Sequence, residues 1–194
     1  PNYEYKLWTD VDNQNLINDL YPEFKLFYNT LNNIEKADFV RPLYIFEFGG
    51  IYLDLDIILY KSLDNVLINA DIFLCDYTEE TDYSLKLVVD PFFFAGEKKN
   101  LFFYNLSKSI STGLIYKILA SNINIRDNII KSMYTTGPFM LTKFYLLNKH
   151  KYNIKVLDKV ITNSINKFYT HGIHLQTSVW SKDFNKTKIR HFFL

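Results

Sequence analysis

The sequence predicts a single α/β domain over residues 1–194, and three observations lead there. Leu16, Ile17 and Leu20, then Phe24, Phe27, Tyr28 and Leu31, recur at helical spacing and read as core-facing stripes separated near Pro22. Short aromatic and β-branched runs, such as Ile72-Phe73-Leu74-Cys75 and Phe92-Phe93-Phe94, interleave with such stripes and read as strands. With 48% hydrophobic and 18% aromatic residues among 194, the chain can bury a sizeable core.

Composition also removes some function classes. A net charge of +1 offers no basic footprint for nucleic acid. The arginines are Arg41, Arg126 and Arg190, so an arginine inside an apolar stretch is conspicuous. No run approaches the roughly 18 apolar residues of a membrane span, and no leader pattern is expected ahead of the domain. Cys75, the lone cysteine, reads as a small core residue.

Taken in order, Tyr3-Glu4-Tyr5-Lys6-Leu7-Trp8 alternates like a strand and ends at an Asp/Asn cluster suited to capping the next helix. After the two early helical stripes, the apolar stretch 34–48 reads as a further helix, with Asp38 and Arg41 three apart on one face. Pro42 follows, removes a helical N–H and disfavours helical geometry at Arg41, so a kink or restart is expected there.

Gly49-Gly50 breaks that helix, and Ile51-Tyr52-Leu53-Asp54-Leu55-Asp56-Ile57-Ile58-Leu59 reads as a strand. In extended chain, residues two apart share a face, so Asp54 and Asp56 are expected side by side with Leu53, Leu55 and Ile57 opposite. Adjacent carboxylates repel, and a hard divalent cation shared with substrate phosphates relieves that repulsion. Two solvated acids on an edge strand are the plain alternative. Strands disfavour Asp, however, and the chain continues into Ile57-Ile58-Leu59-Tyr60, which places the pair at a sheet margin. Haloacid-dehalogenase phosphatases follow such a pair with a small polar dipeptide, where this chain has Ile57-Ile58.

Lys61-Ser62-Leu63-Asp64 reads as a turn, 71–76 as a strand, and 77–84 as a solvated polar loop. Residues 85–96 read as two strand pieces divided by Pro91. Helices are expected over 101–110, 125–133 and 139–148, the last behind the Thr135-Thr136-Gly137-Pro138 turn. That turn reads as a cap, with phosphate binding at the helix start as a second role. Alternation returns in 152–157 and 168–180.

The combined string Ala37-Asp38-x-x-Arg41, then Gly49-Gly50-x-Tyr52-x-Asp54-x-Asp56, closely resembles the D-x-D glycosyltransferases of the sugar-binding-region type. That family includes initiation-specific α-1,6-mannosyltransferase-like enzymes and, more distantly, the clostridial glucosylating toxins. Pro42 is a departure, since members carry an aromatic or similar residue after the arginine. The resemblance implies a GT-A type, Rossmann-like nucleotide-sugar domain with a mixed sheet flanked by helices, its first strand absent and 3–10 standing as the second. It also implies Mn²⁺ or Mg²⁺ as cofactor, held by Asp56 with Asp54 and His174 as further ligands and His171 as the rival histidine.

By the same resemblance Asp38 and Arg41 serve the donor sugar, Asp54 contacts ribose and sugar, and Tyr52 packs on the nucleotide. Asp90 is the nearest polar candidate for a strand that faces the sugars. His174 to Trp180 resembles the family's terminal His-x5-Trp, with Val179 where a serine is usual, and implies that 171–180 is a cover ordering over the diphosphate. The implied function is transfer of mannose, glucose or galactose, with retention, from GDP-mannose or a UDP-hexose to a glycan or lipid-linked acceptor. The expected location is cytoplasmic, or the Golgi lumen where an anchor precedes the domain. An inactive glycan- or nucleotide-binding remnant is the main alternative. A metal-dependent phosphohydrolase is the other, and no nucleophile stands near the acids to support it.

Overall fold

Several helix starts in this chain are written by side chains that satisfy orphan N–H groups. Thr9 caps α1 (Asp10–Leu20) in a capping box with Asp12, and Asn32 caps α3 (Asn33–Phe48) in a capping box with Glu35. Between them Pro22 opens a 3-10 turn (Pro22–Phe24) that leads into the short α2 (Lys25–Tyr28). The computed structural model describes residues 3–76, 87–120, 128–158, 161–162 and 171–175.

Three expectations about this half need correction. Residues 3–9 form no strand, because no described segment pairs with their backbone. Their aromatic content is used against α3 instead: Trp8 stacks on Tyr44 at 3.9 Å between ring centroids, with the Lys6 ammonium 3.7 Å from the Trp8 ring centre. Leu20, expected to face the core, is exposed, while Leu16, Ile17, Phe24 and Tyr28 are buried. The third difference is Pro42, which lies inside α3 without ending or restarting it. Pro42 and its neighbours Val40, Leu43, Tyr44 and Ile45 are all buried, so packing offsets the missing backbone bond.

Gly49 ends α3 at φ 70, and an added Cβ there would lie 2.9 Å from the Lys98 backbone nitrogen. The chain then enters β1 (Gly50–Leu53), turns, and continues as β2 (Ile57–Leu59). The remaining elements are β3 (Ile72–Asp76), β4 (Val89–Gly96), α4 (Leu101–Thr112), α5 (Leu114–Ala120), α6 (Asn128–Thr135), α7 (Pro138–Asn148), β5 (Ile154–Leu157), β6 (Ile161–Thr162) and β7 (Gly172–His174). Sequence reading missed α5, and the predicted polar loop at 77–84 lies outside the described residues.

The result is a mixed α/β architecture. One sheet has the order β1-β4-β3-β5, antiparallel except for the parallel β3/β5 pair. A second has the order β2-β7-β6, with β2/β7 antiparallel and β6/β7 parallel. Alternation along β3 divides the core: Ile72 and Leu74 join the helices α1, α3, α4 and α7, while Phe73 and Cys75 pack with Leu63, Leu157 and Ile161. Cys75 is buried, as its apolar surroundings predict.

β4 is one strand rather than two pieces, but Pro91 still leaves its mark. Its register with β3 jumps from Leu74↔Phe94 to Cys75↔Asp90, a bulge at the proline. The bulge also breaks the alternation, since the successive Phe92 and Phe93 pack on the same side.

Candidate active site

Chain geometry near Asp54 differs from a strand. β1 ends at Leu53, and the Ile57 N–H donates to the Asp54 carbonyl at 3.1 Å, closing a turn that carries the chain from the first sheet to the second. Leu55 at its tip is therefore 80% exposed rather than facing a core opposite the acids. The turn is fixed at both ends: Asp54 N–H donates to the Phe92 carbonyl at 3.0 Å, and Leu175 N–H donates to the Asp56 carbonyl at 2.9 Å.

That folding brings the two carboxylates to one place and adds a histidine. One donor atom each from Asp54, Asp56 and His174 lie within 4.8 Å of one another, and His174 Nε2 is 3.1 Å from Asp56 Oδ1. β7 delivers His174 because it pairs antiparallel with β2, placing His174 opposite Ile57. His171 is outside this cluster; its carbonyl accepts from the Tyr60 and Lys61 N–H groups. Trp180 lies outside the described residues.

Arg41 ties this cluster to α3. Its guanidinium is 2.9 Å from Asp38 Oδ1 through Nη1 and 3.1 Å from Asp54 Oδ1 through Nη2, and Nη1 also donates to the Pro91 carbonyl at 3.2 Å. The planar fork makes one cation serve two carboxylates and a backbone oxygen. Tyr52 donates to Asp54 Oδ1 at 2.8 Å, and its ring lies 5.2 Å from the Arg41 guanidinium carbon. Thr136, at the turn before α7, donates to Asp38 Oδ2 at 3.0 Å. Sequence reading assigned that turn to capping and phosphate; its observed contact is with Asp38.

The electrostatics show an excess of negative charge. Burial raises the Asp38 carboxyl above the usual range, although Arg41 and Thr136 pull it back. Burial, with the nearby Asp54 charge, pushes Asp90 up to about 7. Burial also raises the Tyr52 hydroxyl, which stays protonated and donating. Desolvation opposes charge on Arg41, but Tyr52 and the three surrounding aspartates outweigh it and raise its pKa further. Two carboxylates and an imidazole form a suitable donor set for a divalent ion. The Asp54 and Asp56 side chains are each 22% exposed, which leaves the cluster open to a ligand.

Sequence reading singled out Asp90 only loosely, and did not foresee the Pro91 and Phe92 carbonyls as anchors. An acid between Val88-Val89 and Pro91-Phe92-Phe93-Phe94 is the one signal available, since a charge in an apolar run needs a reason.

Residues 1–73 match the family described as glycosyltransferase sugar-binding region containing DXD motif. The chain is 46% identical over 68 residues to inositol phosphoceramide mannosyltransferase 3 of Schizosaccharomyces pombe, covering 34% of this chain and 19% of that protein. It is 29% identical over 174 residues to inositol phosphoceramide mannosyltransferase 1 of the same yeast, covering 87% of this chain and 50% of that protein. The initiation-specific alpha-1,6-mannosyltransferase of Saccharomyces cerevisiae is 36% identical over 69 residues, 34% of this chain and 14% of that protein. The chain thus spans half or less of the length of these relatives. Asp38, Arg41, Tyr52, Asp54 and Asp56 fall within the segment that matches the sugar-binding region of the DXD-containing glycosyltransferases, whereas Asp90, Thr136 and His174 lie beyond it.

Proposed function

We propose that this chain is a GT-A-type glycosyltransferase domain that uses a divalent ion to transfer a hexose, mannose in first place, from a nucleoside-diphosphate sugar. The acceptor is a lipid-linked or free glycan, and the anomeric configuration is retained. The observation that carries this reading is the meeting, at Asp54, of a metal-type cluster with the buried Asp38–Arg41 pair. Mannose is favoured because the similar yeast proteins are mannosyltransferases by name.

The residues divide the work. Asp56 and His174 would hold the ion, with Asp54 alongside; the imidazole tilts the site toward Mn²⁺ over Mg²⁺, which prefers oxygen ligands alone. When bound, the ion would neutralise the departing diphosphate, the charge that most needs stabilising in this reaction. Arg41 bridges Asp54 and Asp38, and Tyr52 pins the same Asp54 oxygen, so the carboxylates are oriented before a ligand arrives. Asp38 would accept from sugar hydroxyls, its second oxygen being fixed by Thr136. The segment 171–180 is proposed as the cover that keeps water from the diphosphate, with Trp180 at its end.

Calorimetry of the full chain with GDP-mannose, UDP-glucose and UDP-galactose, each with Mn²⁺ and with chelator, tests this. GDP-mannose is expected to bind most tightly and only with Mn²⁺. Binding that chelator leaves unchanged would remove the metal from the site, and failure of every nucleotide sugar to bind would remove the transferase.

A further inference from the structure

We propose that Asp90 is a positioning residue, whose side-chain oxygen sets the shape of the β4 bulge and thereby the relative placement of Arg41, Asp54 and His174. Two successive residues of that bulge, Pro91 and Phe92, touch three different members of the site. Asp90 Oδ1 accepts the Phe92 N–H at 3.1 Å, closing a local ring across Pro91. The Pro91 carbonyl accepts from Arg41, the Phe92 carbonyl accepts from Asp54 N–H, and the Phe92 ring lies 4.9 Å from the His174 ring.

A regular strand could not do this. The register shift between Leu74 and Cys75 takes 91–93 out of step with β3, and Pro91 has no N–H to give. Asp90 supplies the acceptor that the Phe92 N–H meets at the bulge, in a stretch where Pro91, Phe92 and Phe93 are buried. The position of that oxygen, rather than its charge, is what the geometry uses. The inference rests on the reading of the neighbouring cluster as a divalent-ion centre, and its test is built to separate the two.

The experiment compares Asp90→Ala, Asp90→Asn, Asp90→Glu and Thr142→Val in the full chain, by amide hydrogen exchange at Asp54 and Phe92 and by titration with Mn²⁺ alone. Thr142 is the control because its hydroxyl accepts the Val89 N–H at 2.9 Å, anchoring the same strand just before the bulge. Asp90→Ala should speed exchange at both amides and weaken Mn²⁺ about tenfold, the scale of one hydrogen bond. Asp90→Asn, which keeps the oxygen in place, should stay within about twofold of the parent, whereas Asp90→Glu, which keeps the charge and displaces the oxygen, should fall with Asp90→Ala. Unchanged Asp54 exchange in Asp90→Ala overturns the proposal. So does an Asp90→Asn variant as weak as Asp90→Ala, or a Thr142→Val variant that loses Mn²⁺ to the same degree. If the parent binds no Mn²⁺, the ion-centre reading fails, and the exchange pattern still decides the role of Asp90.

Discussion

Four aspartates, Asp38, Asp54, Asp56 and Asp90, gather around one arginine and one histidine, and most consequences at the residue scale follow from that imbalance. Asp56→Asn removes a ligand charge, so Mn²⁺ affinity should drop by at least about tenfold, measured by titration with the ion alone. Arg41→Ala leaves Asp38 and Asp54 without their shared cation. With the Arg41 side chain only 14% exposed, the loss should be about 3 kcal/mol of stability, read by urea denaturation. The pH dependence has a definite sign. Asp90 in the folded chain is pushed up to about 7, against about 3.9 in an unfolded chain. Across that interval the folded state holds a proton that the unfolded state has released, so stability falls as pH rises from about 4 to about 7 and levels off above. Asp38, raised by burial, acts in the same direction. Melting curves over that range in metal-free buffer should show the fall, and Asp90→Asn should flatten it.

At the scale of elements, the junctions matter more than the helices and strands they join. Gly49 both ends α3 in the left-handed region and lets β1 pass close to Lys98. Gly49→Ala meets strain and a backbone contact together, and should destabilise by about 2 kcal/mol in chemical denaturation. The junction between β1 and β2 teaches a different lesson. The alternation of 51–59 looked like one long strand, yet Asp54 begins a turn, because β1 pairs with β4 in one sheet and β2 with β7 in another. A period-2 pattern records which faces are apolar; it does not record a change of partner. Pro91 shows the reverse case, where a breaker visible in sequence became a bulge inside a continuous β4 since neighbours on both sides hold the strand.

For the whole molecule, the two sheets and the turn between them bring Asp54 and Asp56 together with His174 from far along the chain. A bound ligand should therefore stabilise the fold as a unit. With Mn²⁺ present and nucleoside-diphosphate sugar at a hundred times its Kd, the gain is about 2.7 kcal/mol. For a chain of this size the melting temperature should rise by roughly 5 to 10 °C, and chelator should abolish the rise. A melting temperature unmoved by any nucleotide sugar with Mn²⁺ would count against ligand binding at this cluster.

The α/β class, the start of α1 near the Asp/Asn cluster, the glycine pair that ends α3 and the closeness of Asp38 to Arg41 were legible in the sequence alone. Each depends on spacing within a few residues, and local backbone geometry converts that spacing directly into position. The turn at Asp54, the contact of Thr136 with Asp38, the pairing of β7 with β2 that sets His174, already named by resemblance, beside Asp56, and the seat provided by Pro91 and Phe92 were decided only by tertiary structure. They join segments far apart in the chain, and what brought them together was which apolar faces could be buried against each other, a choice that no local pattern encodes.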